Sequence, residues 1–146
     1  MTLLSSLAAA HWSLPRRKHR VMKTPGVGVP MRDGVILGAD LYQPDQPGQP
    51  TILIRSPYGR RMPFGLSAQL FAERGYQVVV QSCRGTSGGG GALSPFLQER
   101  ADGLDTVEWL ERQAWFAGRL ATYGASYLGY VQWAIAAELG ERLSAM

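Results

Sequence analysis

The stretch "ATYGASYLGYVQWAIAA", residues 121–137, holds one serine, Ser126, framed by Gly124-Ala125 before it and Tyr127-Leu128-Gly129 after it. A short strand-like run reaches Gly124, and an apolar helical pattern begins near Tyr127. A strand, a tight turn with serine at its tip and a following helix is the arrangement that presents a nucleophile. A serine hydroxyl is a poor nucleophile at neutral pH; it needs a base to take its proton and a third group to orient that base. A sharp bend into a helix pushes Oγ clear of the backbone and aims the next amide at the oxygen that becomes negative when a carbonyl is attacked. Ser126 is therefore the candidate nucleophile, and the Tyr127 N–H a candidate oxyanion donor. The spacing is Gly-x-Ser-x-x-Gly, with Leu128 where the common elbow has its second glycine. The competing reading is an ordinary strand-to-helix turn with Ser126 as a helix cap.

The elements that must hold this turn are legible upstream. "VGVPMRDGVILGADLYQP" reads as a β-hairpin: Val27, Val29 and Met31 alternate, Asp33-Gly34 turns, and Val35, Leu37 and Ala39 alternate on the return. "PDQPGQP", residues 44–50, is a surface connection. "TILIRSP" and "QVVVQSC" are apolar enough for strands buried on both faces. Between them "FGLSAQLFAERG" has helical spacing and a terminal Gly75. "RGTSGGGGAL" reads as a flexible loop, and no Gly-Lys-Ser/Thr follows to make it a phosphate cradle. A helix is expected to open at Ser94-Pro95 and to bury Leu97, Ala101, Leu104, Val107, Leu110 and Ala114. "GRLATYG" is a third buried strand, and a last helix runs from about Tyr127 to Leu139 and stops at Gly140. The order predicts an α/β fold with the serine at the carboxyl end of a parallel strand, where open α/β sheets bind ligands.

The chain has 146 residues, enough for one domain with a real core. Its net charge of +4 comes from Arg16, Arg17, Lys18 and Arg20, in a leading stretch with no acid; the rest balances. Residues 1–22 are expected to form a basic, loosely ordered arm, and residues 23–146 a partial α/β domain. In that arm the positive charge follows the apolar stretch, the reverse of a secretory signal, so a cytoplasmic location is expected. No apolar run approaches the ~20 residues of a membrane span, and a short charge cluster without interleaved aromatics does not point to nucleic acid. The single cysteine, Cys83, ends a strand and reads as a packing residue. One thiol makes neither an internal disulfide nor a zinc site, and no metal or other cofactor is expected.

Several motifs in order carry a resemblance. Met31-Arg32-Asp33-Gly34, Pro57-Tyr58, Arg84-Gly85, Asp105-Thr106 with Trp109, Gln113 and Trp115, and Gly124-x-Ser126-Tyr127-x-Gly129 with Gln132-Trp133 together resemble the Xaa-Pro dipeptidyl-peptidase-like serine hydrolases, which include the cocaine-esterase and α-amino-acid ester hydrolase types. The resemblance runs from about Val27 to Ala137. It implies the N-terminal half of an α/β-hydrolase, Ser126 as the acylated residue, the Tyr127 amide as one oxyanion donor and the Tyr58 hydroxyl as the second. It also implies a small ester or peptide substrate. Arg84, Asp102 and Asp105 are expected to pair structurally. The chain departs from the family pattern at Ser82, where an Asp is usual, in its glycine-filled loop, and at Ala121.

In α/β-hydrolases the order is Ser, then acid, then His. After Ser126 this sequence has Glu138 and Glu141 but no histidine; His11 and His19 both precede it. The chain is therefore expected to be a hydrolase fragment that stops after the nucleophile helix, inactive alone, with the edge of the nucleophile strand left open. The alternative is a non-catalytic remnant or an interaction module that uses its basic arm.

Overall fold

The computed structural model describes residues 3–146. The first two residues of the expected arm lie outside the described residues. The rest of that arm is more ordered than its composition suggests. Leu3–His11 form helix α1, whose Ser5 is buried and donates to Glu73 Oε1 at 3.1 Å. The amides of Lys18 and His19 both bond the Glu73 carbonyl, at 2.8 and 3.1 Å. The arm thus docks on the end of the next helix, because that end offers an orphan carbonyl and a carboxylate.

The hairpin forms as its alternation dictates. β1 (Val21–Pro30) pairs antiparallel with β2 (Ile36–Pro44), with a bulge between Thr24 and Val27. Val29, Met31, Leu37 and Ala39 are buried. β3 (Thr51–Ser56), helix α2 (Phe64–Ala72) and β4 (Gln77–Ser82) follow, and every residue of β3 and β4 is buried. Helix α3 covers Glu99–Glu111, β5 Leu120–Thr122, helix α4 Tyr127–Leu139, and β6 Leu143–Ala145 after one 3-10 turn.

The sheet order is β1-β2-β4-β3-β5-β6. β4, β3, β5 and β6 run parallel, and the hairpin closes antiparallel on β4. Alternate residues of the central strands feed two cores. Leu53 and Val79 pack with Val107, Leu110, Ile135 and Leu139 on the α3/α4 side. Ile52, Ile54, Val78 and Val80 pack with Ala68 and Ala72 on the α2 side. A helix-covered parallel sheet needs this continuous apolar pattern, since neither face meets water.

Three expectations need correction. Helix α3 opens at Glu99, not at Ser94-Pro95, and Leu97 is 83% exposed. Ala101 and Ala114 are exposed as well, whereas Leu104, Val107 and Leu110 pack inward as expected; beside them Glu99, Asp102, Asp105 and Thr106 are buried, a polar part of the inner face that apolar spacing could not reveal. The glycine-rich loop is strapped down rather than free: Gly90 N–H bonds the Ile36 carbonyl at 2.9 Å, and Gly38 N–H bonds the Gly88 carbonyl at 3.1 Å. At Gly85 (φ +67°) any β-carbon would collide with the backbone of Ala92 and Leu93. Finally, the edge of β5 is not open. β6, a strand beyond α4, pairs with it, Leu120 opposite Leu143 and Ala121 opposite Ala145.

Candidate active site

Ser126 is the residue before α4, at φ +60° and ψ −126°. Side chains avoid that region, and a non-glycine residue held there stores roughly 1–3 kcal/mol of strain. Its side chain makes no capping hydrogen bond, which removes the ordinary reason for a serine at a helix start. Gly124 makes the bend possible. It sits at φ +143°, and a β-carbon there would collide with Leu128. Gln132 fastens the turn from inside the helix, donating to the Gly124 carbonyl at 2.7 Å and bonding Thr122 Oγ1 at 2.9 Å. The helical amides of Gly129 and Tyr130 bond the Ser126 carbonyl, and that of Leu128 bonds Ala125. Among the described residues the Tyr127 N–H joins no such bond, as expected for the first turn of a helix.

Tyr58 leaves the sheet at the same edge. β3 and β5 are parallel neighbours, Leu53 lies opposite Thr122, and the Tyr123 amide bonds the Leu53 carbonyl at 3.2 Å. Five residues beyond Leu53 and four beyond Thr122 lie Tyr58 and Ser126. Tyr58 is 62% exposed, its ring stacks on Phe64 at 6.4 Å, and its amide is anchored by Ser56 Oγ at 3.1 Å. The strand ends thus bring Ser126, Tyr127 and Tyr58 to one rim. The two histidines do not join them through any bond: His19 Nδ1 lies 3.0 Å from Asp45 Oδ1 and its ring lies against Gly75, at the amino ends of β3 and β4, while His11 stacks edge-on with Trp12.

Beneath the turn is a network that apolar periodicity does not flag. The Tyr127 hydroxyl donates to Glu99 Oε1 at 2.8 Å. Glu99, only 2% exposed, faces Arg55, whose Nη2 lies 2.8 Å from Glu99 Oε2. That contact is a charge pair without hydrogen-bond alignment; the aligned bonds of Arg55 go to the Glu99 carbonyl (2.8 Å) and Gln81 Oε1 (3.0 Å). Burial, with the Glu99 carboxylate alongside, pushes the Tyr127 phenol up to about 12, so it stays a hydrogen-bond donor. Cys83 lies in the same buried layer, and burial pushes its thiol up to about 12. This agrees with a packing role. Arg84 pairs with Asp102 at 2.6 Å and Asp33 at 2.7 Å, whereas Asp105 pairs with Arg32 at 2.6 Å. The expected ion pairing is therefore split between two arginines.

The profile of the X-Pro dipeptidyl-peptidase (S15) family matches residues 33–146. A cocaine esterase from Rhodococcus sp. (strain MB1 Bresler) is 43% identical over 113 residues, which cover 73% of this chain and 20% of that enzyme. The chain thus spans about a fifth of the length of this curated relative. A CocE/NonD family hydrolase of Staphylococcus aureus superposes with a TM-score of 0.75 at 26% identity, covering 86% of this chain and 27% of that one. An α-amino acid ester hydrolase superposes with a TM-score of 0.65, also at 26% identity, over 82% of this chain and 24% of its own. The solved neighbours are α/β hydrolases, and the superpositions show that fold for this chain. By sequence and by fold, the chain belongs to the X-Pro dipeptidyl-peptidase (S15) family of hydrolases.

Proposed function

We propose that residues 23–146 carry the nucleophile half of a serine hydrolase that cleaves ester or peptide bonds by acyl transfer, with residues 1–22 as an appended basic segment. Ser126 Oγ attacks the substrate carbonyl carbon, and its proton passes to a base outside these residues. The carbonyl oxygen becomes negative between the Tyr127 N–H and the Tyr58 O–H. Collapse releases an alcohol or amine, which takes the proton; water then hydrolyses the acyl-serine. The observation that carries this reading is the positive φ of Ser126 in a side chain without a capping bond. Such strain is maintained where it presents a group.

No histidine follows Ser126, so the chain alone is expected to be inactive and chemical rescue is the test. The 146-residue chain is incubated with a fluorophosphonate probe, with and without millimolar imidazole as a surrogate base, and the modified residue is located by mass spectrometry. We expect imidazole-dependent labelling at Ser126, absent in Ser126→Ala and reduced in Tyr58→Phe. Labelling spread over the other serines, or unchanged in Ser126→Ala, refutes the assignment.

A further inference from the structure

Beside Tyr58 lies a cavity of about 680 Å³ lined by Lys23, Asp40, Tyr58, Arg60, Arg61 and Ser87, among others. Its volume is in the range of small-molecule sites, roughly 300–1,000 Å³. Its charge is lopsided: three cations face one carboxylate. Asp40 is shared, with Lys23 Nζ at 3.0 Å from Oδ2 and Arg60 Nε at 3.0 Å from Oδ1. Arg60 Nη1 is fixed by Ser82 Oγ at 2.6 Å and the Ser87 carbonyl at 2.9 Å, leaving Nη2 without a hydrogen bond among the described residues. Arg61 makes neither an ion pair nor a side-chain hydrogen bond among them. The cavity therefore offers a guanidinium with no counter-charge, next to a second one held rigidly by its neighbours. Ser82, the departure from the family pattern, is one of the groups that holds it.

A planar guanidinium pair matches a carboxylate better than it matches a neutral or cationic group. Tyr58 belongs both to this cavity and to the rim that holds Ser126, so a substrate whose carbonyl oxygen rests at Tyr58 can direct one arm into the cavity. We propose that this cavity binds a carboxylate on the substrate, so that the enzyme takes anionic esters, those with a second, free carboxylate a few carbons from the scissile bond. This rests on the serine hydrolase reading above and specifies its substrate class.

The test is a binding measurement on the Ser126→Ala chain, so that its outcome does not depend on the reactivity of the serine. Titration calorimetry compares monomethyl glutarate, its neutral dimethyl ester and inorganic phosphate at low and high salt. We expect the monoanion to bind at least about tenfold more tightly than the diester, and Arg61→Gln to weaken it by about tenfold, the scale of one charge-assisted hydrogen bond. Arg61→Lys retains more of the binding than Arg61→Gln, and salt weakens binding. Arg61 is exposed and its side chain makes no hydrogen bond or ion pair among the described residues, so a thermal melt should find the variants folded. Equal binding of the diester, or an Arg61→Gln chain that binds unchanged, overturns the proposal. Phosphate binding as tightly as the monoester, with the same dependence on Arg61, makes this a general anion site and overturns the substrate assignment.

Discussion

Replacing Arg55 with methionine removes three interactions at once: the bond to Gln81, the bond to the Glu99 carbonyl and the charge pair with Glu99 Oε2. Gln81 keeps a partner in Thr106, and the methionine stem fills most of the space, so neither costs much. The Glu99 carboxylate, 2% exposed, is left facing an apolar side chain. Stranding one member of a buried pair costs about 3–5 kcal/mol, against a total stability of about 5–15 kcal/mol for a domain. At a urea m-value of about 2 kcal/mol/M, the unfolding midpoint should fall by about 2 M. The double variant Arg55→Met/Glu99→Gln removes the stranded charge, while the introduced amide oxygen still accepts from the Tyr127 hydroxyl. It should recover more than half of that loss. The assay is urea unfolding followed by tryptophan fluorescence and circular dichroism. A single variant that loses less than about 1 kcal/mol, or a double variant as weak as the single, would show that the charge pair does not hold the layer under the turn.

Ser126→Gly should stabilise the fold by about 1 kcal/mol or more, because glycine accepts the positive φ that serine strains to hold; a lower unfolding midpoint contradicts the strain. Folding holds the carboxyls of Asp33 and Asp45 below their usual range, through the hydrogen bonds from Arg84 and His19 respectively. Asp105 is also held low: burial pushes it upward, but the Arg32 bonds outweigh that push. A depressed carboxyl contributes stability that is present above its unfolded pKa, about 3.9, and lost as pH falls through the folded value. The urea midpoint should therefore hold between about pH 7 and 5 and drop below about pH 4; a midpoint that rises on acidification refutes the sign. Cys83, buried with its thiol pushed up to about 12, should react with a disulfide reagent at about pH 8 only as fast as the chain opens. Rapid labelling of the native chain would contradict its burial.

The parts legible in the sequence are those whose signal is local. Val27, Val29 and Met31 with Asp33-Gly34 fix the hairpin, and Gly124 and Gly140 bracket α4. The parts that are not legible depend on distant partners. Helix α3 turns acids inward because Arg55, 44 residues before Glu99, and Arg84, 18 before Asp102, meet them there. No window of the helix contains either arginine, so the apolar steps misplace its start and miss the polar part of its inner face, while they do find Leu104, Val107 and Leu110. β6 is three residues long and has no periodicity to read. At the rim, Ser126 and Tyr127 announce themselves by glycine spacing, whereas Tyr58 carries no signal apart from the family pattern. Arg61 meets Lys23 in one cavity only because the hairpin lies beside the loop after β3.

Phe96 sits at φ +68°, its amide bonds the Tyr127 hydroxyl at 3.3 Å, and its carbonyl receives the Tyr130 hydroxyl at 2.7 Å. Two phenols one helical turn apart thus rivet a twisted loop to the front of α4. Residue 127 serves two masters: in the proposed reaction its main chain faces the chemistry, while its ring is bolted into the floor. Tyr127→Phe would leave every backbone atom in place and still loosen that loop, leaving the Tyr130 hydroxyl as its one remaining phenol bond, so amino-acid tolerance at this position is governed by carpentry as much as by reactivity.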